Sequence, residues 1–325
     1  MAHRVGIIGL GTVGSRFVEQ FGRHELFDLV SAWDPDAGAC VAHQAAVEIA
    51  GGPSEVIAAS ALVYIAVPPL HHREYVDACL AAETAIFCEK PLGVDVAESR
   101  SLVDAVEASG LPAGVNFVFS GAPSARGLGA AVADGTLGEL VRADLRLHFA
   151  EWPRAWHAKA RWLTLRDQGG WMREVVSHFL FVAARVLGEL TLESADVQFP
   201  DGPGGVLSEI SATARFSSAS GAPLVMIGTS EGPGPDVVDL TVRGSTGSAR
   251  IWDWYHLQRT TGGQWGDDFG DDRTSLGHAA YTAQLRQLDL MMSGEQHTIA
   301  TFPEALAVQE LVERCLAPDK MVPGT

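Results

Sequence analysis

The sequence predicts an α/β chain in two parts: a doubly wound parallel sheet over residues 1–120, then an α+β domain over 121–325 with a large open antiparallel sheet. Two patterns predict this. Short apolar runs alternate with helical stretches through the first 120 residues, and that alternation calls for parallel strands joined by right-handed crossovers. Beyond Gly121 the apolar period becomes two, with short turns rich in Gly, Ser and Pro. That is the pattern of antiparallel strands with one wet face. A chain of 325 residues fits two domains, and 47% apolar against 19% charged residues excludes disorder as its main state.

Arg4 to Gly9 reads as a buried strand, and Thr12 to Arg23 as a helix with Val13, Phe17, Val18 and Phe21 on one side. Leu29 to Trp33 is a second strand, and Val47 to Ile49 a weakly marked third. Ala61 to Val67 is a strand followed by a helix through Cys79 and Leu80. Ala85 to Cys88 is the next strand, and the helix from Val94 to Ser109 is stopped by Gly110. Ala113 to Phe119 closes the first sheet.

In the second part, Val141, Ala143, Leu145, Leu147 and Phe149 alternate with Arg142, Asp144, Arg146 and His148. Ile210, Ala212, Ala214 and Phe216 repeat the signature, and Leu224–Ile227, Val237–Val242 and Arg250–Trp254 are further strands. Helices are expected at Trp171–Leu187, from Ala280, and at Pro303–Leu316.

Acids outnumber bases 40 to 23, a net charge of −17. Such a surface repels phosphate backbones and anionic lipid, which argues against a nucleic-acid or membrane-surface role. The longest apolar run, Ala61 to Leu70, contains two prolines and is too short for a bilayer span. The sequence enters an apolar run by Val5 with no charged lead and long hydrophobic core, so a secretory signal is not expected in these residues. None of Cys40, Cys79, Cys88 and Cys315 forms a C-x-x-C pair or a zinc-type grouping with His. The expectation is a cytoplasmic protein with reduced thiols and no metal.

The first strand runs directly into Gly9-Leu10-Gly11-Thr12-Val13-Gly14, and a helix comes next. This is G-x-G-x-x-G in the strand–turn–helix setting that a dinucleotide site of the Rossmann type requires. The first glycine permits the turn, the second lets a pyrophosphate reach the backbone, and the third lets helix and strand pack closely. The helix N-terminus offers N–H groups and partial positive charge to the phosphates. The second strand ends in Asp34, whose carboxylate can accept from the adenosine ribose hydroxyls and repels a 2′-phosphate. NAD is therefore expected, with NADP as the alternative. Asp34 before Pro35 also suits a helix N-cap.

Two other strand ends carry polar groups: Ala66-Val67-Pro68-Pro69-Leu70-His71-His72 and Glu89-Lys90-Pro91. Ligands of doubly wound sheets gather at the C-terminal ends of strands, so both segments should border the glycine loop's cleft. A solvated lysine is the ordinary reading of Lys90.

Glu89-Lys90-Pro91, after a glycine loop and a Pro–His strand end, resembles the glucose–fructose oxidoreductase and inositol dehydrogenase family (Gfo/Idh/MocA). Three further segments are similar to the family's, in the same order: Gly135-Thr136-Leu137-Gly138-Glu139, Gly169-Gly170 through His178, and Tyr281-Thr282-Ala283-Gln284-Leu285. The resemblance implies a nicotinamide-dependent oxidoreductase acting on a small sugar-like, cyclitol-like or related cyclic substrate. It also implies dimers or tetramers formed through the antiparallel sheet. It gives Lys90 a place in the acid/base machinery beside the nicotinamide, and gives Glu89, Pro68, His72 and Asn116 places on the cofactor side. It implies a cis bond at Lys90–Pro91. The chain departs from the family's pattern at three positions. Glu174 stands where the family has Asp, Val176 where it has Gly, and Val118 where it often has Arg.

Glu174 and His178 are four apart, beside an apolar stripe of Met172, Val175, Val176, Phe179, Val182, Ala183 and Val186. An imidazole titrates near neutrality, so His178 can take a proton from an alcohol or return it. Glu174 would orient the ring, and an ordinary surface ion pair is the alternative. Lys90 serves either as a base or as a charged donor polarising a carbonyl, and sequence leaves both open. Trp152, Trp156, Trp162 and Trp171 crowd twenty residues, interleaved with Arg154, Lys159 and Arg161. They read as a substrate wall or lid, with packing at a subunit contact as the alternative. Tyr281 is a further candidate for the substrate side, or else a core tyrosine.

Gly228-Thr229-Ser230-Glu231-Gly232 fits G-x-S-x-G, but Gly232-Pro233-Gly234-Pro235 forbids the helix that a nucleophile elbow needs. His71 and His72 are adjacent and lack a spaced carboxylate partner, so no metal site is expected there. The functional expectation is hydride transfer at a carbinol or carbonyl carbon. The alternatives are reduction of an imine, or a regulator that senses the dinucleotide without chemistry.

Overall fold

The computed structural model describes residues 2–157, 160–202, 204–270 and 272–317, so Lys159 lies outside the described residues. The chain forms two compact units, Met1–Gly121 with Tyr281–Ala307, and Ala122–Ala280 with the chain from Val308. The stretch 281–307 thus returns to the first unit, whereas the sequence pattern places everything after Gly121 in the second.

In the first unit the strands are β1 (His3–Ile8), β2 (Phe27–Trp33), β3 (Leu62–Ile65), β4 (Ala85–Glu89) and β5 (Ala113–Asn116). The helices are α1 (Thr12–Arg23), α2 (Ala37–His43), α3 (Pro53–Ala59), α4 (His72–Ala81) and α5 (Val96–Ser109). The sheet is parallel, in the order β2-β1-β3-β4-β5. β3 and β4 are buried along their whole length, which explains why they read as unbroken apolar runs. Asp95 caps α5 by accepting from the Glu98 N–H at 2.8 Å, and Gly110 ends it at φ 66°. The stretch Val47–Ile49 is not a strand; Ile49 makes only an isolated bridge to Ala32. The last strand stops at Asn116, and Val118–Ser120 turn as a 3₁₀ helix.

The core of this unit is aromatic. Phe17 is fully buried, with ring centroids 4.3 Å from Tyr64, 5.6 Å from Phe21 and 5.7 Å from Tyr281. Leu285, Leu288, Met291 and Ile299 of the returning segment join the same cluster.

The second unit contains α6 (Pro123–Ala133) and β6 (Leu140–His148), then a helix whose first turn, Met172–Val176, is wound as a π-helix and which continues as α7 (Ser177–Leu187). Next come β7 (Leu190–Gln198), β8 (Ser211–Ser218), β9 (Leu224–Thr229), β10 (Val237–Gly244), β11 (Ser248–Trp252), β12 (His256–Thr260) and β13 (Gly266–Asp267). Helices α8 (Arg273–Met292) and α9 (Phe302–Leu316) each run from one unit into the other.

The eight strands are ordered β13-β12-β11-β10-β6-β9-β8-β7. The sheet is mixed, because β6 and β9 pair in parallel, Ala143 opposite Leu224 through His148 opposite Thr229. Period two reports a wet face and carries no information on direction. Gly135 and Gly138, at φ 76° and 73°, make the turn into β6.

Phe17→Ala removes the ring that joins α1 to the sheet. The expected cost is about 3–5 kcal/mol, seen as a lower denaturant midpoint for the first unit; an unchanged midpoint contradicts the assigned packing.

Candidate active site

The glycine loop has the geometry that its spacing predicts. Gly9 sits at φ +100°, and a side chain there would strike the Ala66 carbonyl. A Cβ on Gly14 would strike the Gly9 carbonyl, so helix and strand touch there. A Cβ on Gly11 would meet nothing within 4 Å, so this N-cap faces open space. No side chain caps α1 and its first turn holds no acid. The first-turn N–H groups, with Thr12 and Val13 half-buried around them, are left to an external acceptor. This cradle fits a pyrophosphate.

Asp34 ties the loop to the end of β2. Its Oδ2 accepts from the Leu10 N–H at 2.6 Å, and its Oδ1 accepts from the Asp36 N–H at 2.7 Å. The cap of α2 is Asp36 rather than Asp34, accepting from the Gly38 N–H at 2.9 Å. Two carboxylates thus stand just past the end of β2, and negative charge there disfavours a bound phosphate.

A buried polar network closes the tips of β4 and β5, where Glu89 and Asn116 are register partners. Tyr64 donates its hydroxyl to Glu89. Asn116 Nδ2 donates to Glu89 Oε1 at 2.5 Å and to the Tyr64 hydroxyl at 2.9 Å. Gln284 Nε2, fully buried, donates to Asn116 Oδ1 at 2.7 Å and to the Phe117 carbonyl at 3.1 Å. The Lys90 N–H lies 3.3 Å from Glu89 Oε2, the Lys90–Pro91 bond is cis, and Lys90 is itself buried. Burial, with Glu89 beside it, raises the Tyr64 phenol well above its ordinary range, so it stays a donor.

His72 differs from its expected role. It is fully buried, its Nε2 lies 2.9 Å from the Val67 carbonyl, and burial lowers it to about 4. A neutral ring in that position braces the strand end, while Pro68 beside it is exposed. Tyr281 also departs from the substrate role: its ring packs edge-on against Phe17 and its hydroxyl accepts from Arg16 at 2.7 Å.

In the second unit the helix of residues 172–187 is buried on nearly every side, with Glu174 half-buried and His178 buried. The π turn ends between them, a winding that often marks functional sites. Arg173 pins the turn: Nε and Nη2 meet the Glu313 carboxylate at 2.5 and 2.8 Å, and Nη1 donates to the Arg166 and Gly169 carbonyls.

The tryptophans divide. Trp171 is fully buried, its indole N–H donates to the Glu209 carbonyl at 3.1 Å, and its ring packs against Gly228. It is a core residue, which removes it from the substrate wall. Trp162 and Trp152 are half-buried, and Trp156 is 45% exposed. The Arg154 guanidinium lies over Phe149, Trp152, Trp156 and Trp254 at 5.1, 5.6, 4.9 and 5.4 Å. Trp254, absent from the sequence-derived set, stands edge-on to His178 at 6.5 Å and sits at φ 71° after Asp253 at φ 43°. Nothing in the local sequence announces two successive left-handed residues. Ser230 is a turn residue after β9, close to the Ile210 carbonyl, with no helix behind it.

Residues 3–117 match the model of the oxidoreductase family with an NAD-binding Rossmann fold, GFO_IDH_MocA. Over that stretch the first unit is similar to the family's Rossmann domain. An inositol 2-dehydrogenase of Cereibacter sphaeroides is 36% identical over 115 residues, 34% of this chain and 34% of that enzyme. A trans-1,2-dihydrobenzene-1,2-diol dehydrogenase of Macaca fascicularis is 31% identical over 165 residues, 48% of this chain and 49% of that enzyme. These matches span between a third and a half of the relatives' length. Among solved structures, GenD2 from gentamicin A biosynthesis, in complex with NAD, superposes with a TM-score of 0.81 at 20% identity over 100% of this chain and 97% of that one. The myo-inositol 2-dehydrogenase of Lactobacillus plantarum gives 0.79 at 19% identity over 97% and 96%. Both units therefore have the fold of these solved structures.

Sequence reasoning also missed Glu209, whose carboxyl is buried at the start of the π turn. Its Oε1 accepts from the Met172 N–H at 2.7 Å, and burial pushes it up from 4.5 to about 7. An acid whose pKa rises on folding stabilises the fold while protonated, and that contribution fades as pH climbs from 4.5 to about 7. His72 tilts the other way over its own window, so the comparison must be between wild type and variant. Glu209→Gln should remove a loss on the order of 3 kcal/mol between acidic and alkaline buffer, measured by denaturant unfolding. An unaltered pH slope contradicts the assigned burial.

Proposed function

We propose that this chain is an NAD-dependent dehydrogenase of a cyclitol-like or related small cyclic alcohol, working at a carbinol or carbonyl carbon. The observation that carries the reading is the conjunction, within one Rossmann unit, of an uncapped glycine loop, Asp34, and Lys90 held on a buried Glu89 network. The names of the relatives, an inositol dehydrogenase and a dihydrodiol dehydrogenase, support a ring-shaped substrate. Bound nicotinamide supplies or accepts the hydride. Gly9, Gly11, Thr12, Val13 and Gly14 bind the phosphates, and Asp34 takes the ribose. Glu89 and Asn116 act behind Lys90 rather than on the coenzyme directly, since their polar atoms are spent on each other, Tyr64 and Gln284. Lys90 and His178 handle the substrate proton in one reaction, and Glu174 supports the imidazole. The aromatic set of Trp152, Trp156 and Trp254 favours a substrate with a flat or apolar face over a linear polyol.

The open sheet face, where Ile227 is 53% exposed, is assigned to pairing of two copies. A cytoplasmic setting suits the four free cysteines, of which Cys79, Cys88 and Cys315 are buried and pushed up by burial.

The test is absorbance of the reduced coenzyme with a panel of inositols, cyclic diols, keto sugars and cyclic imines. Turnover of ring alcohols with NAD is the expected result; tight NAD binding with no turnover favours a sensing role, and turnover of imines alone overturns the carbinol assignment. NAD should bind at least about tenfold tighter than NADP, and Asp34→Ala should shrink that preference. Equal affinities in the wild type would contradict the role of Asp34. Lys90→Met and His178→Asn should each lower kcat by roughly a hundredfold or more, and together by less than the product.

A further inference from the structure

We infer that Glu209 is a positioning residue for proton transfer: it holds the π-wound turn Met172–Val176 and thereby sets how Glu174 and His178 are presented. The inference rests on the assignment of His178 made above.

Three observations carry it. First, the Glu209 carboxyl accepts from the Met172 N–H at 2.7 Å, and its backbone carbonyl accepts from the Trp171 indole at 3.1 Å. Glu209 thus grips the two residues from which the turn starts. Secondly, the pocket for this carboxyl is built by the Gly169-Gly170 pair. Gly170 takes φ +95°, and a Cβ on it would overlap the Glu209 carboxylate. A Cβ on Gly169 would strike the Leu163 backbone. The glycine pair that precedes the helix is therefore explained by the acid it admits. Thirdly, Glu209 is 1% exposed and its Oε2 has no hydrogen-bond partner among the described residues. A carboxyl placed only for stability would be costly with one oxygen idle.

The consequence for the site is geometric. A π turn carries one more residue than an α turn, so its loss rotates the residues on its N-terminal side by about 100° against those on its C-terminal side. Glu174 lies inside the turn and His178 just after it. If the anchor at Met172 is released, the turn can relax to α winding, and Glu174 swings away from its place relative to the imidazole. The charged groups acting on Glu209 are Arg173, from the turn, and Glu313, from α9, which pair with each other. Burial leaves Glu209 at about 7, so the anchor changes between carboxylate and acid in the neutral range.

The experiment uses Glu209→Ala and Glu209→Gln in the full chain, with folding verified by circular dichroism. In the absence of any substrate, the His178 Cε1 resonance is titrated by NMR, assigned with His178→Asn. The ring titration should move in Glu209→Ala and return most of the way in Glu209→Gln, which keeps the acceptor. With a substrate in hand, kcat in Glu209→Ala should fall roughly tenfold or more with NAD affinity unchanged, and Glu209→Gln should recover it while flattening the neutral limb of the pH profile. An identical His178 titration in wild type and both folded variants overturns the inference. If Glu209→Ala does not fold, Glu209→Gln alone decides: a neutral limb of the pH profile as steep as in wild type overturns it. A wild type that turns over nothing defeats the reading of function, while the ring titration still decides the role of Glu209.

Discussion

The first unit depends on one buried carboxylate. Glu89 sits at the tip of β4, out of water, where an unpaired charge would be expensive. Tyr64 from β3, Asn116 from β5 and the Lys90 backbone surround it, and Gln284 from the returning helix holds Asn116 in turn. Each donor comes from a different element, so the network fixes three neighbouring strand tips and the helix that packs on them. It also fixes the main chain from which the Lys90 side chain leaves. A half-satisfied network would be worse than an apolar one. This is why the C-terminal part of the chain comes back to the first unit: Gln284 approaches closely only because Gly121 has no side chain to meet it.

The second unit solves a related problem with a different device. Its helix of residues 172–187 is buried nearly all round, yet carries Arg173, Glu174 and His178. Arg173 is paired with Glu313, which outweighs the burial that disfavours its charge. Glu209 receives the free N–H at the start of the turn. The Arg173 guanidinium and the Met172 N–H are therefore satisfied at the helix entry, and the aromatic rings around Arg154 gather next to the same helix through Trp254.

Much of this was legible in the sequence, for physical reasons. A glycine loop between a buried strand and an amphipathic helix is a local pattern, and every part of it is set by residues a few positions apart. Lys90 between an acid and a proline, and the stripe from Met172 to Val186, are local in the same sense. What could not be read is non-local. Gln284 looks like a helix surface residue, Tyr64 like strand filler, and Glu209 like a strand-edge acid. Only the fold shows that their partners are donors and acceptors from distant stretches. His72 and Trp171 were misplaced for the mirror reason, because residue types that suit a site also suit a core when one hydrogen bond satisfies them. The parallel pairing of β6 with β9 was hidden because alternation carries no direction. The π turn was hidden because its cause lies with Glu209, more than thirty residues away.

The central claim is that the Glu89 network aims Lys90 at the reacting ring of a coenzyme whose phosphates lie on the start of α1. A crystal structure of the protein with NAD bound tests it most directly. The account predicts the pyrophosphate against the Gly9–Gly14 backbone, the ribose on Asp34, and the Lys90 amine within hydrogen-bonding reach of a substrate atom over the nicotinamide. NAD bound with its nicotinamide away from the tip of β4, or with the Lys90 amine turned from it while the Glu89 contacts stay intact, would contradict it.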